Sequence, residues 1–309
     1  MNDPREDAPG TPGGDTVAAE AAPRQTTPFL VLQFFIFPMA IVAVSVAVFV
    51  VFGLIAAEGR CARDYVQEVR SGGSNRRWQA AFELSKLIQS RKDPALDDPR
   101  FVPELVALFE DAEKDDPRVR RYLALALGKL GDARAVPALL KAVAPAGADA
   151  DSEALIYSIW ALGVIRDPRA LPELLRLSEV EDAGVRKAAV HALGSLPGDA
   201  STERLRRSLQ DAAEDVRWNA ALALAHRADA ACVPVILGML DRSRLGSVPG
   251  LTPEQQEDAI LQAVPAAALV ADAEIESALA ALRDHDPSLR VREAALDALR
   301  RPASPSATR

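Results

Sequence analysis

Aromatic side chains make up only 5% of the sequence, too few for the two-sided core of a β-sandwich, which draws on aromatic and β-branched residues. Cysteine is nearly missing: Cys61 and Cys232 are the only two. They lie far apart in different kinds of segment, so a disulfide framework is excluded and both read as free thiols. Histidine is equally sparse, with His191, His226 and His285 each alone and none paired at metal-ligand spacing. No Gly-rich loop cradles a phosphate, and no Ser or Cys stands in a nucleophile motif. Positive charge is in deficit, since the formal net charge is −8, which argues against general affinity for nucleic acid. These absences leave no catalytic, cofactor or metal residue to name. Neither an enzyme, a nucleic-acid partner nor a small-molecule substrate is expected.

The first feature present is a long uncharged run, PFLVLQFFIFPMAIVAVSVAVFVVFGLIAA, at 28–57. About 20 apolar residues suffice to cross a bilayer core at the helical rise, so the run reads as a transmembrane helix, kinked or marked near Pro38. It is too long for a signal peptide, its N-flank is acidic, and Arg60 before Cys61 excludes a lipoprotein site. Arg60, Arg63, Arg70, Arg76 and Arg77 follow the run, against Arg5 and Arg24 before it. That bias predicts a single-pass (inner) membrane protein with its C-terminal part in the cytoplasm. Residues 1–27, rich in Pro, Gly, Ala and acid, read as a disordered acidic tail. Residues 58–75 read as a juxtamembrane helix and a Gly/Ser linker, and 302–309 as a second disordered tail.

From residue 76 onward one pattern recurs. Its clearest units are DPRVRRYLALALGKLGDARAVPALLKAV (116–143), DAGVRKAAVHALGSLPGDASTERLRRSL (182–209) and EDVRWNAALALAHRADAACVPVILGML (214–240); weaker copies occupy 150–178 and 286–302. An Asp or Asp-Pro pair opens a helix by capping free N–H groups. The helix reads V-R-x-x-A-x-x-A-L-G, apolar three and four residues apart. Gly128, Gly163 and Gly194, near its end, let a neighbouring helix approach. A short loop then leads to a second helix, VPALL, LPELL or VPVIL, with Pro in its first turn. One such hairpin cannot bury its own apolar face, so stacked neighbours share a core.

This pattern resembles the HEAT repeat, in the short bacterial form also found in phycobilisome-lyase-type proteins, over residues 76–301. The fold expected is all-α: a single transmembrane helix followed by a right-handed α-α superhelical solenoid of about six HEAT repeats. The resemblance implies that the opening acid (Asp116, Asp151, Asp182, Asp286) and the recurring arginine (Arg77, Arg120, Arg186, Arg217, Arg292) bond between adjacent units. Leu155 and Ile260 interrupt that arginine series. The resemblance also implies protein–protein scaffolding, as an adaptor or an accessory subunit of a membrane complex, with a bilin-lyase-like or isomerase-like activity as the alternative.

The arginines then have two roles open to them, a structural ladder or a binding stripe. Trp78 and Trp218 occupy one register of their repeats beside Arg77 and Arg217, and aromatics with arginines dominate binding hot spots. The candidate surface for a protein partner is therefore Trp78, Arg120, Arg186, Arg217 and Trp218, on the first helices and read as the concave side. Trp160, in another register, reads as a gap filler. The repeat breaks at 89–100, at 144–151 and most widely at 241–256, where Thr252-Pro253-Glu254-Gln255 is a capping box that restarts a helix. Pro265 falls inside that helix.

Overall fold

The computed structural model describes residues 36–56, 60–112, 116–144 and 152–300. The two expected tails, 1–27 and 302–309, lie outside the described residues, as does Asp151. Two compact units divide the chain, Met1–Gly59 and Arg60–Arg309.

In the first unit, α1 runs from Phe37 to Ala56 with Pro38 at its start. Its side chains from Phe37 to Val51 are exposed all round. Among the described residues no helix is long and apolar enough to cross a membrane, which overturns the single-pass placement, its transmembrane span and the cytoplasmic orientation derived from it. Residues 28–35 of the expected span lie outside the described residues.

The second unit is helical throughout its described residues. A lone helix, α2 (Ala62–Ser71), precedes six hairpins, and a lone helix ends them. The hairpins pair α3 (Ser74–Ser90) with α4 (Phe101–Asp111), α5 (Pro117–Leu130) with α6 (Val136–Val143), and α7 (Ser152–Ile165) with α8 (Leu171–Leu177). They continue with α9 (Ala183–Ser195) and α10 (Asp199–Ser208), then α11 (Glu214–Ala225) and α12 (Val233–Leu240). After the short α13 (Arg242–Gly246) come α14 (Pro253–Ala267) and α15 (Ala273–His285), and α16 (Leu289–Arg300) closes the stack. Successive first helices pack on one another, and each second helix lies against the first helix of the following hairpin. One apolar core runs through the unit from Ala62 to Ala298.

Local chemistry sets these elements. Asp182 accepts from Val185 N at 2.8 Å to open α9, and Thr252 with Gln255 forms the capping box that opens α14. In four of the hairpins the turn between first and second helix begins on an acid. Asp93, Asp132, Asp167 and Asp229 accept from the N–H two residues on, satisfying a donor the short 3₁₀ turn leaves over. Gly131, at φ 70°, ends α5 in the left-handed region, where a side chain is disfavoured. The glycines near the helix ends serve a different need. A Cβ on Gly163 would lie 2.7 Å from Ala192 Cα, on the next first helix. Gly128 meets Ala161 and Gly194 meets Ala223 in the same way, so these glycines let successive first helices touch backbone to side chain. Trp160 fills the space beside Gly128, as its gap-filling register predicts.

Ahead of residue 76, where the repeat becomes legible, α2 already belongs to the stack: Ala62, Val66 and Val69 are buried. Asp93 Oδ2 accepts from Ala62 N at 2.6 Å, so the loop of the first hairpin caps α2. Its outer face carries Arg63, Asp64, Gln67 and Arg70, all exposed, as a terminal layer of a solenoid requires.

Candidate partner-binding site

The repeat places Trp78 on α3, Arg120 on α5, Arg186 on α9, and Arg217 with Trp218 on α11. Arg186, Arg217 and Trp218 come together around Asp211; Trp78 and Arg120 lie in earlier hairpins.

Arg186 is committed inside the protein. Its Nε and Nη2 donate to the two carboxylate oxygens of Asp211 at 2.9 and 2.8 Å, and Nη1 donates to the carbonyls of Val180 and Glu181 at 3.0 and 2.6 Å. The pair is nearly dry, with side-chain exposures of 15% and 9%. Hydrogen bonding from the guanidinium holds the Asp211 carboxyl below the ordinary aspartate range, against the opposing effect of burial. Arg217 repeats the motif: its Nη1 donates to the carbonyls of Asp211 and Ala212 at 2.6 and 3.1 Å, and Nη2 pairs with Glu214. Arg77 reaches Val69 O at 2.7 Å, and Arg292 reaches Asp286 O at 3.2 Å. In each case the repeat arginine draws in backbone carbonyls that precede its own helix, from the loop for Arg186, Arg217 and Arg292 and from the end of α2 for Arg77. The side-chain bond from Arg186 to Asp211 also joins one hairpin to the next.

Arg120 lies with its guanidinium 5.3 Å from the centre of the Phe109 ring, half-buried. Trp78 is half-buried too. Arg118, bonded to Asp116, covers it at 4.7 Å from the ring centre, and Tyr122 flanks it at 6.4 Å. Its neighbours are thus the protein's own side chains.

Trp218 is different. It is half-buried against the core and forms part of two open clefts. One, of about 340 Å³, lies toward α12 and α13 and is bounded by Asp211, Arg217, Pro234, Gly238 and Arg244. The other, of about 360 Å³, lies toward α14, bounded by Lys187, Asn219, Leu251, Gln255 and Asp258. Both owe a wall to the 241–256 insertion, which supplies Arg244 to one and Leu251 and Gln255 to the other. Sequence reasoning missed Asp211, Gly238 and Arg244 as site residues. A signal existed for Gly238: the equivalent place in three other second helices holds Lys141, Arg176 or Arg207.

A third cleft, of about 420 Å³, lies between α12 and α15 over Leu237, Leu282 and His285. At its edge Arg242 makes a bidentate bond to the buried Asp286 at 2.6 and 2.9 Å. Among the described residues no group of three or more His, Cys, Asp or Glu is placed to hold a metal ion. Cys232 is buried, which pushes its thiol up to about 11, so the thiolate needed of a nucleophile is a minor species near neutral pH.

The family described as HEAT repeats matches residues 146–225, and the PBS lyase HEAT-like repeat matches residues 119–144. The chain therefore carries HEAT repeats, with a PBS-lyase HEAT-like repeat among them. No curated protein sequence matches it. Among solved structures it is similar to the complex of CpcE and CpcF of phycocyanin lyase from a Nostoc species, at 22% identity and TM-score 0.51, covering 79% of this chain and 97% of the other. It also matches human deoxyhypusine hydroxylase at 19% identity and TM-score 0.33, covering 77% and 95%. The likeness to the lyase chain bears on the fold.

Proposed function

We propose that the HEAT repeats of this chain are a non-enzymatic scaffold that docks a protein partner, with Trp218 as the anchor of the docking surface. The observation that carries this reading is the half-buried indole between two open clefts, where the regular stack is interrupted by 241–256. Large aromatics seated in desolvated pockets supply a disproportionate share of interface energy, and a surface loop on a rigid scaffold is a common site of recognition. The internal commitments of Arg186 and Arg217 make them supports of this surface, holding Asp211 and the start of α11 in place. Trp78 and Arg120 are kept as a weaker, separate candidate at the other end of the stack. The solved relative is itself a complex of two chains, CpcE and CpcF.

The test compares the full chain with Trp218→Ala in affinity capture with crosslinking. The scaffold reading expects one or a few proteins in near-stoichiometric amount, crosslinked to α11 and α14, and lost in the variant while its melting temperature stays close to that of the parent. A tryptophan that is purely core would instead cost about 3–5 kcal/mol of stability and leave capture per folded molecule unchanged. That result would overturn the reading.

A second reading, a bilin-lyase-like or isomerase-like activity, draws support from the likeness in fold to the phycocyanin lyase complex. It expects a change in the absorption spectrum when the protein is mixed with a free bilin. An unaltered spectrum would remove it.

A further inference from the structure

In the cleft between Trp218 and α13, the acids are already answered. Asp211 is bonded to Arg186, and Glu214 to Arg217. Arg244, from the short inserted helix, is the exception: its guanidinium has no hydrogen bond or ion pair among the described residues. With the other charges cancelled in pairs, the cleft carries a positive charge on a chain whose net charge is −8.

The position of that charge is built. Gly238 sits inside α12, where glycine weakens a helix and where three other second helices carry Lys141, Arg176 and Arg207. A Cβ on Gly238 would fall 2.8 Å from Arg244 Nη1 and 2.9 Å from Cζ. The missing side chain is therefore the slot in which the Arg244 guanidinium lies. The repeat cation has been removed from the second helix and one from the insertion laid across its place. Arg176 at the same position donates to Val143 O and pairs with Glu173, and Arg207 pairs with Glu203, so those cations are spent within the protein. Arg244 lies against the Gly238 backbone and is left unspent.

We propose that Arg244 and Trp218 together receive an acidic segment of a protein partner, its carboxylate bonding to the guanidinium and a neighbouring apolar side chain lying on the indole. A guanidinium offers a planar pair of donors that matches a carboxylate, and it is less costly to desolvate than an ammonium. A basic segment finds no unpaired acid in this cleft. The inference rests on the docking reading and adds the chemistry of what is docked.

The experiment pans a random-peptide library on the immobilised full chain and measures the enriched peptides against Arg244→Ala, Gly238→Ala and Trp218→Ala. Enriched peptides should carry Asp or Glu close to an apolar residue. Arg244→Ala should weaken them roughly tenfold or more, the loss expected of a charge-assisted bond. Gly238→Ala should weaken them too, by displacing the guanidinium, while leaving the melting temperature unchanged or higher. Added salt should weaken binding to the parent and have little effect on Arg244→Ala. Peptides without acids, or acidic peptides indifferent to both Arg244→Ala and Gly238→Ala yet lost in Trp218→Ala, would overturn the inference and leave docking at Trp218 standing. Enriched peptides indifferent to all three variants, or no enrichment at all, would overturn both.

Discussion

The same arginine recurs in register after register, and its side chain is placed by what lies beyond its own helix. Arg186 satisfies a carboxylate and two carbonyls at once, so removing it leaves a nearly buried Asp211 without a countercharge. Arg186→Ala should therefore cost about 3 kcal/mol, read by urea unfolding of the full chain. The pH dependence has a definite sign. Asp211 is depressed in the folded protein, so the pair contributes fully above the unfolded aspartate value of about 3.9. The contribution is lost as pH falls through the lower folded value. The stability gap between the parent and Asp211→Asn should be widest near neutral pH and close in acid. The two cysteines give a separate check. Cys232 is buried and its thiol is raised to about 11, whereas Cys61 is partly exposed. Alkylation under native conditions should label Cys61 promptly and Cys232 only on unfolding; equal rates would contradict the packing around α12.

Helices in this stack are set apart or drawn together by single positions. Gly163 faces the backbone of Ala192, which cannot move aside without carrying α9 with it. Gly163→Ala should cost about 1–3 kcal/mol through overpacking, measured by calorimetry. Gly238 meets only the far end of the flexible Arg244 side chain, so Gly238→Ala should be neutral or stabilise by about 0.5–1 kcal/mol. Two glycine-to-alanine changes of opposite sign within one stack would distinguish a packing glycine from one that makes room for a side chain. The helix boundaries were readable in the sequence wherever a cap was chemical: Asp182, Thr252 with Gln255, and the Asp that opens each 3₁₀ turn. Where the end depends on a left-handed residue other than glycine, as at Arg166 and Ala228, no composition signal marks it, since any side chain can be held there by its surroundings.

At the scale of the molecule, one continuous core extends from Ala62 to Ala298 within the second compact unit. Its first layer, α2, has a charged outer face and only three buried residues, too short a pattern to be recognised as a repeat. A chain beginning at Arg60 should unfold at the temperature of the full chain. One beginning at Ser74, stripped of α2, should lose at least about 3 kcal/mol, because the buried Val66 and Val69 are lost and α3 loses the helix packed on it. Differential scanning calorimetry of the two truncations makes the comparison. Equal stability would mean that α2 is an accessory to the stack and not its cap.

The amino-acid sequence alone determined the all-helical class, the hairpin repeat, most helix starts and the glycines at which helices meet. All of these follow from periodicity and capping within a few residues of one another. It also located the interruption at 241–256, because a break in a repeat is visible against the copies on either side. What an arginine does was decided only in three dimensions. Arg186 finds Asp211 and Arg242 finds Asp286 across 25 and 44 positions, separations fixed by how one hairpin stacks on the next. Arg244 stands beside them in composition and pattern, yet folding brings it to an empty place on α12 and no acid. The apolar run before Arg60 pointed to a membrane through its composition, yet among the described residues no helix is long and apolar enough to cross one. Local chemistry writes the elements, whereas the offset between stacked hairpins decides which charges meet and which are left facing outward.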